Sequence, residues 1–436
     1  MSPEEKPYPS PKVAWYAVSV LLIAYTIAFI DRTILSLLVG PIQADLGIGD
    51  TAMGLLHGIA FALFYCFLGL PIAWLSDRFS RRWIIAIGMI LWSAMTALCG
   101  LAKNFTQLFL ARMGVGVGEA ALSPAAYSMI ADLFPPSSLG RAMGVYSSGV
   151  FFGAGVAFLV GGFVISLATG GGALWLPLFG ELRVWQFVFV IVGLPGVLFA
   201  LLMLTVPEPE RRAKNSGGAK ASSSGLITFL RENPKASIGH FLGFALLGVV
   251  FNGFVAWGPT QMIRDFGVTA SDAGAAFGIG IFICGGGGII LGGLVADKLT
   301  QRGYEDAAMR AGIIGGIGLI PTGLAAPLMP DFISSAIAYA AFFLFASFPF
   351  GAAAAALQLM TPPGLRAQMS AMYLLVLNLI GIGGGPLLIA AISDYVLSGP
   401  ASIGTGMAVT AAITTPLGVL TLIATLPAYR LLRARS

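Results

Sequence analysis

Charge is scarce in this chain. Only 10% of its 436 residues are Asp, Glu, Lys or Arg while 57% are hydrophobic, against about 25% charged in soluble domains, which excludes an ordinary soluble globular protein. Cysteine is nearly absent. Cys66, Cys99 and Cys284 all fall inside apolar runs without a ligand-like spacing, which argues against a disulfide framework or a zinc site. The glycine runs at 284–290 and 381–388 have no Lys-Ser/Thr after them, so they read as close helix packing and bending rather than phosphate loops. No Ser/His/Asp set, metal cluster or nucleotide motif supports an enzyme. The opening "MSPEEKPYPSPK" carries acids and prolines with no small-residue cleavage site after the apolar run, so it does not read as a secretory signal.

What is present in abundance is apolar sequence long enough to cross a bilayer, which takes roughly 20 residues per helix. Polar, Pro and Gly breaks divide it into spans at 13–39, 52–76, 83–102, 105–131, 140–168 and 184–205, then 236–262, 270–296, 308–328, 332–359, 366–396 and 403–428. The reading is an all-α integral membrane protein of twelve transmembrane helices in two six-helix bundles, 1–206 and 236–436. The Pro-, Gly-, Ser- and charge-rich stretch 207–235 joins them as a solvated linker whose last part suits a short surface helix. Ser10 and Pro11 suit the N-cap and first residue of the first helix.

Lys and Arg lie overwhelmingly on the side of the N-terminus. Only Lys103, Arg183 and Arg264 fall on the other side, and Arg32 and Arg112 lie within spans. That bias predicts both termini in the cytoplasm, in a bacterial inner membrane. The net charge of +5 then reflects topology and contact with anionic lipid, and requires no nucleic-acid partner.

Two segments repeat one another: "PIAWLSDRFSRRW" after the second span and "GGLVADKLTQRGY" after the eighth. Asp77, Arg78 and Arg82, with Arg81 beside them, match Asp297, Lys298 and Arg302 at one constant offset, the internal repeat of a two-half transporter. Both copies resemble the cytoplasmic signature of the major facilitator superfamily, although the first has Ala73 where the second has Gly293. The resemblance implies that these residues lock a cytoplasmic gate, the Asp meeting a helix N-terminus and the basic residues meeting carboxylates. The alternative is a topology signal with fold-stabilising ion pairs. "RMGVGVGEA" in the fourth span, with Arg112, Gly116 and Gly118, also matches the superfamily. Together with "IDR" in the first span and "DLFPPSSLGRAMG" before the fifth, it resembles the spinster branch, which is linked to export of sphingosine phosphates and lysophospholipids. In "SSGVFFGAG" the Gly149-to-Gly153 spacing is similar to the helix-five antiporter motif, but without its Pro, so exchange and symport both stay open.

Four charges sit deep in the first half: Asp31, Arg32, Arg112 and Glu119. A charge at the bilayer centre costs about 2.5 to 3.5 kcal/mol on insertion scales, so such residues face a protein interior or wet cavity and pair. Asp31 lies ~7 Å and Arg112 ~9 Å to the outer side of their helix middles, at one depth. Glu119, two turns along from Arg112 on the same face, lies ~10 Å deeper, near the midplane. The four form a ladder if the first and fourth helices adjoin. An Arg112 that chooses between two carboxylates can exchange partners when one is protonated; the alternative is a structural ion-pair network. His57 is a further candidate on a proton path.

The second half has no ionisable residue deep in its spans. Its polar candidates are Asn252, Gln358, Tyr373 and Asn378, with Phe251, Phe254, Trp257, Phe345 and Phe348 as an apolar wall. A cavity charged on one side and apolar on the other suits an amphiphile. The expected function is a monomeric secondary transporter without cofactor. It moves an amphipathic lipid-like substrate by alternating access and is driven by protons through Glu119, Asp31 and His57. Arg112, Arg32, Asn252, Trp257, Tyr373 and Asn378 are the expected substrate contacts, and one Arg meets an anionic headgroup. An organic-anion or drug carrier is the alternative, and a membrane enzyme or receptor the contrasting class.

Overall fold

The computed structural model describes residues 8–76, 78–169, 174–176, 180–211, 223–362, 365–397 and 402–434. Eleven helices among them are long and apolar enough to cross a membrane. The twelfth span, the fourth along the chain, is broken into Phe105–Glu119 and Leu122–Leu133. Pro124, in the first turn of the second piece, has no N–H to give the Ala120 carbonyl. The chain tightens there, with Ala121 N bonding Gly118 O at 3.2 Å. The break therefore follows Glu119 directly.

Local chemistry sets the other ends. The first helix, Pro11–Thr33, starts with Ser10 as N-cap and Pro at its first position, and narrows to a 3-10 turn at Ile34–Leu37. A short helix, Val39–Leu46, follows and stops at Gly47 with φ 63°. The seventh helix, Pro234–Phe266, stops in the same way at Gly267, φ 66°. Left-handed backbone favours glycine at both caps, and the two glycines stand at the same offset as Asp77 and Asp297. The pseudo-symmetry thus extends from motif to helix cap. The linker's last part forms the helix Ser223–Glu232. Between the fifth and sixth spans, Leu174–Leu176 pairs antiparallel with Gly180–Leu182, a two-stranded ribbon that hydropathy alone does not signal.

Glycine draws the two halves together. On the second helix Gly54 leaves room for only 3.0 Å between an added Cβ and Ala390 Cβ of the eleventh helix. On the fifth helix an added Cβ at Gly155 would lie 2.9 Å from Gly278 O of the eighth, and at Gly162 3.0 Å from Ser271 Cα. The glycine runs read as packing devices do pack and bend. Gly280–Gly285 and Asn378–Gly384 are π-helical turns, a form common at functional sites. Gly149 and Gly153 instead face Tyr25 and Phe29 of the first helix, within the first half.

Candidate functional site

Glycines place the charged face of the fourth helix. An added Cβ at Gly116 would meet Phe61 O of the second helix at 2.5 Å, and one at Gly118 would meet Trp92 N of the third at 2.6 Å. With both flanks pinned, Arg112 and Glu119 are turned inward and buried, 0% and 2% exposed. Arg32 Nη2 donates to Glu119 Oε2 at 2.5 Å, and its guanidinium lies 4.3 Å from the Phe61 ring centre and 5.1 Å from that of Phe29. Arg112 Nη1 donates to the Asp31 backbone carbonyl at 3.2 Å, so the two residues do share one depth.

The pairing differs from the expected ladder. Arg32 holds Glu119, and Arg112 reaches Asp31 through its carbonyl rather than its carboxylate. Consecutive helical residues diverge by about 100°, so Arg32 turns towards the second and fourth helices while Asp31 turns towards the third. The Asp31 carboxylate faces the Trp92 indole, and two Arg112 nitrogens are buried without a hydrogen-bond partner. Buried charge with unmet hydrogen bonds is unusual in a native interior.

Arg32, His57, Asn252, Phe29, Phe251 and Ile382 border a small cavity between the halves, of about 70 Å³, room for roughly two waters. Asn252 Nδ2 bonds Gly248 O at 2.9 Å. His57 lies 5.7 Å, ring to ring, from Trp257, whose indole donates to Pro386 O at 2.9 Å. Trp257 therefore sits in packing between the halves, off the cavity wall. Tyr373 packs on His240, 5.1 Å between rings, and Asn378 opens the π-helical turn of the eleventh helix. Of the expected aromatic wall, Phe251 reaches the cavity, whereas Phe254 stacks on Phe342 at 4.5 Å.

The face opposite the termini is closed by contacts that the sequence did not single out. Arg264 at the end of the seventh helix reaches Asp50 at the start of the second with bonds of 2.8 and 3.0 Å, and Gln43 bridges the two at 2.6 and 2.8 Å. Asp394 of the eleventh helix accepts from Thr51 N and Oγ1, both at 2.7 Å. Apart from the Gln43–Asp50 bond, which lies within the first half, all of these join one half to the other.

On the terminal face the first copy of the motif acts within its own half and with the start of the linker. Arg81, 1% exposed, pairs with Asp132 and with Glu208, the latter at 2.9 Å. Arg82 N donates to Glu208 at 3.0 Å, and Arg78 covers the Trp74 ring at 3.7 Å. Asp297, Lys298 and Arg302 are exposed; Asp77 lies outside the described residues. The second half carries a matching tie with the charges exchanged: Asp306, before the ninth helix, accepts from Arg310 and Arg430, each at 2.6 Å.

Burial opposes ionisation of Glu208 and Asp306, yet the donors around them outweigh it and hold both below their ordinary values of 4.5 and 3.8. A depressed carboxyl stabilises the fold fully above its unfolded pKa, and that stabilisation is lost as pH falls through the folded value. Melting of the detergent-solubilised protein is expected to hold steady from pH 7 to about 5 and to drop below roughly pH 4. Glu208→Gln should start lower and drop less. An unchanged acid-side drop in that variant would assign the effect to other carboxylates.

Comparison with known proteins agrees with this architecture. The pattern of the Major Facilitator Superfamily matches residues 21–386. The chain is 28% identical over 386 residues to an MFS-type efflux pump of Mycolicibacterium smegmatis, covering 88% of this chain and 85% of the pump. It is 29% identical over 336 residues to a probable galactarate/D-glucarate transporter of Bacillus subtilis, 70% of each chain. The crystal structure of a bacterial homologue of the human lysosomal transporter spinster, inward-facing and unoccupied, superposes with a TM-score of 0.79 at 28% identity over 98% of both chains. With twelve spans, a duplicated motif and this match along most of its length, the chain belongs to the major facilitator superfamily, in its spinster-like branch, and is a membrane transporter rather than an enzyme.

Proposed function

We propose that the protein moves an amphipathic, lysolipid-like substrate by alternating access, coupled to protons at Glu119. The two bodies, 1–206 and 236–436, rock about the glycine seams with 207–235 as their tether. The single observation that carries the reading is the Arg32–Glu119 pair at 2.5 Å, on the border of a cavity between the halves whose other walls are largely apolar. A proton on Glu119 would free Arg32, and Arg32 is then the cation able to meet an anionic headgroup. Asp31 and His57 are the secondary proton sites. The pinned far face and the exposed Asp297, Lys298 and Arg302 support an inward-facing state. The reading takes the protein as a monomer in a bacterial inner membrane, and the excess of Lys and Arg on the terminal side supports cytoplasmic termini. Asp297 and its partners, with Asp77, Arg78, Arg81 and Arg82, would engage when the inner side closes.

The sugar-acid relative favours a second reading, an organic-anion carrier using the same Arg32. Reconstituted vesicles with an imposed pH gradient, offered lysolipids and organic anions in parallel, decide between them. Arg32→Ala is expected to lose binding of charged lysolipids by roughly tenfold or more relative to neutral analogues with the same tail. Arg112→Ala, at a residue sealed from the cavity, should lose both equally. Transport of neither class would sink both readings.

A further inference from the structure

Glu119 is only 2% exposed, its Oε2 is held by Arg32 and its Oε1 is buried without a partner. Towards the far face lies the cavity of about 70 Å³, closed off by the contacts of Asp50, Arg264 and Asp394. A proton leaving Glu119 must therefore travel towards the terminal face. In that direction, one turn along the fourth span, stands Ser123. The phenols of Tyr65 on the second helix and Tyr146 on the fifth both interact with the Ser123 side chain. Tyr146 is fully buried, and Ser123 is the polar side chain its hydroxyl reaches. Tyr25 stacks on it at 5.0 Å, and Tyr127 meets it edge-on at 5.3 Å. Tyr127 is 40% exposed, so the tyrosine cluster reaches open surface there.

We infer that Ser123, Tyr65, Tyr146 and Tyr127 form a hydroxyl relay that carries the proton between Glu119 and the terminal face. The inference rests on Glu119 being a proton carrier. Each hydroxyl accepts one proton on its oxygen and passes on its own, so the net change is Glu119 carboxylic acid to carboxylate with one hydronium released at Tyr127. The carboxylate left behind is neutralised by Arg32. The groups around Glu119 are few. The first helix presents Asp31, Arg32 and Tyr25, the second Tyr65 with His57 and Cys66 beyond it, the fourth Arg112 and Tyr127, and the fifth Tyr146. The third helix offers Trp92, which does not titrate, and the eleventh packs against this half through apolar Ile382. Exposed phenols alone would suit aromatic packing; a fully buried and a half-buried phenol that share the Ser123 hydroxyl, placed between a buried acid and an exposed phenol, suit conduction.

The test needs no substrate. Time-resolved infrared absorption of the full-length protein in detergent after a pH jump follows the protonated-carboxyl band that Glu119→Gln removes. Ser123→Ala, Tyr146→Phe and Tyr127→Phe, which delete only a hydroxyl, are expected to slow its decay by roughly tenfold or more and to leave its equilibrium midpoint in place. Unchanged rates with the band present would overturn the relay, as would a shifted midpoint at unchanged rate, which would make the hydroxyls tuning groups. A band that Glu119→Gln leaves intact would instead overturn the assignment of Glu119 as proton carrier.

Discussion

Glu119→Gln is expected to bind substrate and fail to accumulate it against a gradient. The side chain sits one residue before the break in the fourth span, held by Arg32 at 2.5 Å and buried so completely that its charge state must matter to its neighbours. Glutamine keeps the shape and a hydrogen-bond acceptor for Arg32 but cannot ionise, so it holds the site permanently in the form that a protonated acid would give. Arg32 then loses its counter-charge in a low-dielectric setting, a change worth about 3 to 5 kcal/mol when one member of a buried pair is removed. Relief comes only from an anionic ligand. Equilibrium binding of a charged lysolipid should therefore survive or tighten, while pH-driven flux falls to background. Exchange of labelled for unlabelled substrate, which needs no net proton movement, should persist. A Glu119→Gln protein that still concentrates substrate would move the proton to Asp31 or His57, and Asp31→Asn is the next variant to measure.

Much of this arrangement was legible in one dimension. Periodicity along a helix puts Arg112 and Glu119 on one face, and counting turns puts Asp31 level with Arg112, as the 3.2 Å bond to its carbonyl bears out. What counting cannot supply is azimuth between helices. Whether Arg32 or Arg112 holds Glu119 depends on how the first helix is rotated against the fourth, which glycines at 116 and 118 decide by contacts on two other helices. The same limit hides Trp257 and Tyr373, polar-tipped aromatics whose sequence surroundings suit a cavity but whose partners, Pro386 O and His240, put them in packing. It also hides the tyrosine cluster, in which Tyr25, Tyr65, Tyr127 and Tyr146 come from four spans. The break after Glu119 was within reach, since Pro124 stands in the middle of an apolar run where a missing donor must be felt.

The contact of greatest consequence for conformation was also the least visible, because Asp50 and Arg264 lie in different halves, each at a span end where charge is unremarkable. Asp50 accepts two bonds from Arg264, and Gln43 ties both; Ser393 approaches the same carboxylate at 3.4 Å. Asp50 is 8% exposed, so the pair is shielded from solvent on the acid's side and salt should screen it only in part. In the conformation described these bonds join the halves, and in any conformation with the far face open they must break. Their energy therefore enters the alternating-access equilibrium directly. Removing an interaction worth about 1 to 3 kcal/mol in one state shifts such an equilibrium roughly 5- to 150-fold. Arg264→Ala and Asp50→Asn should each raise the population open on the far face. Cysteines placed across that face, one near Thr51 and one near Asp394, would report this as slower cross-linking in each variant. The charge-exchanged double variant Asp50→Arg with Arg264→Asp restores attraction between the halves and should recover much of the cross-linking, whereas two independent packing defects would add. Cross-linking that neither falls in the single variants nor recovers in the double would leave the glycine seams alone to set which face is closed.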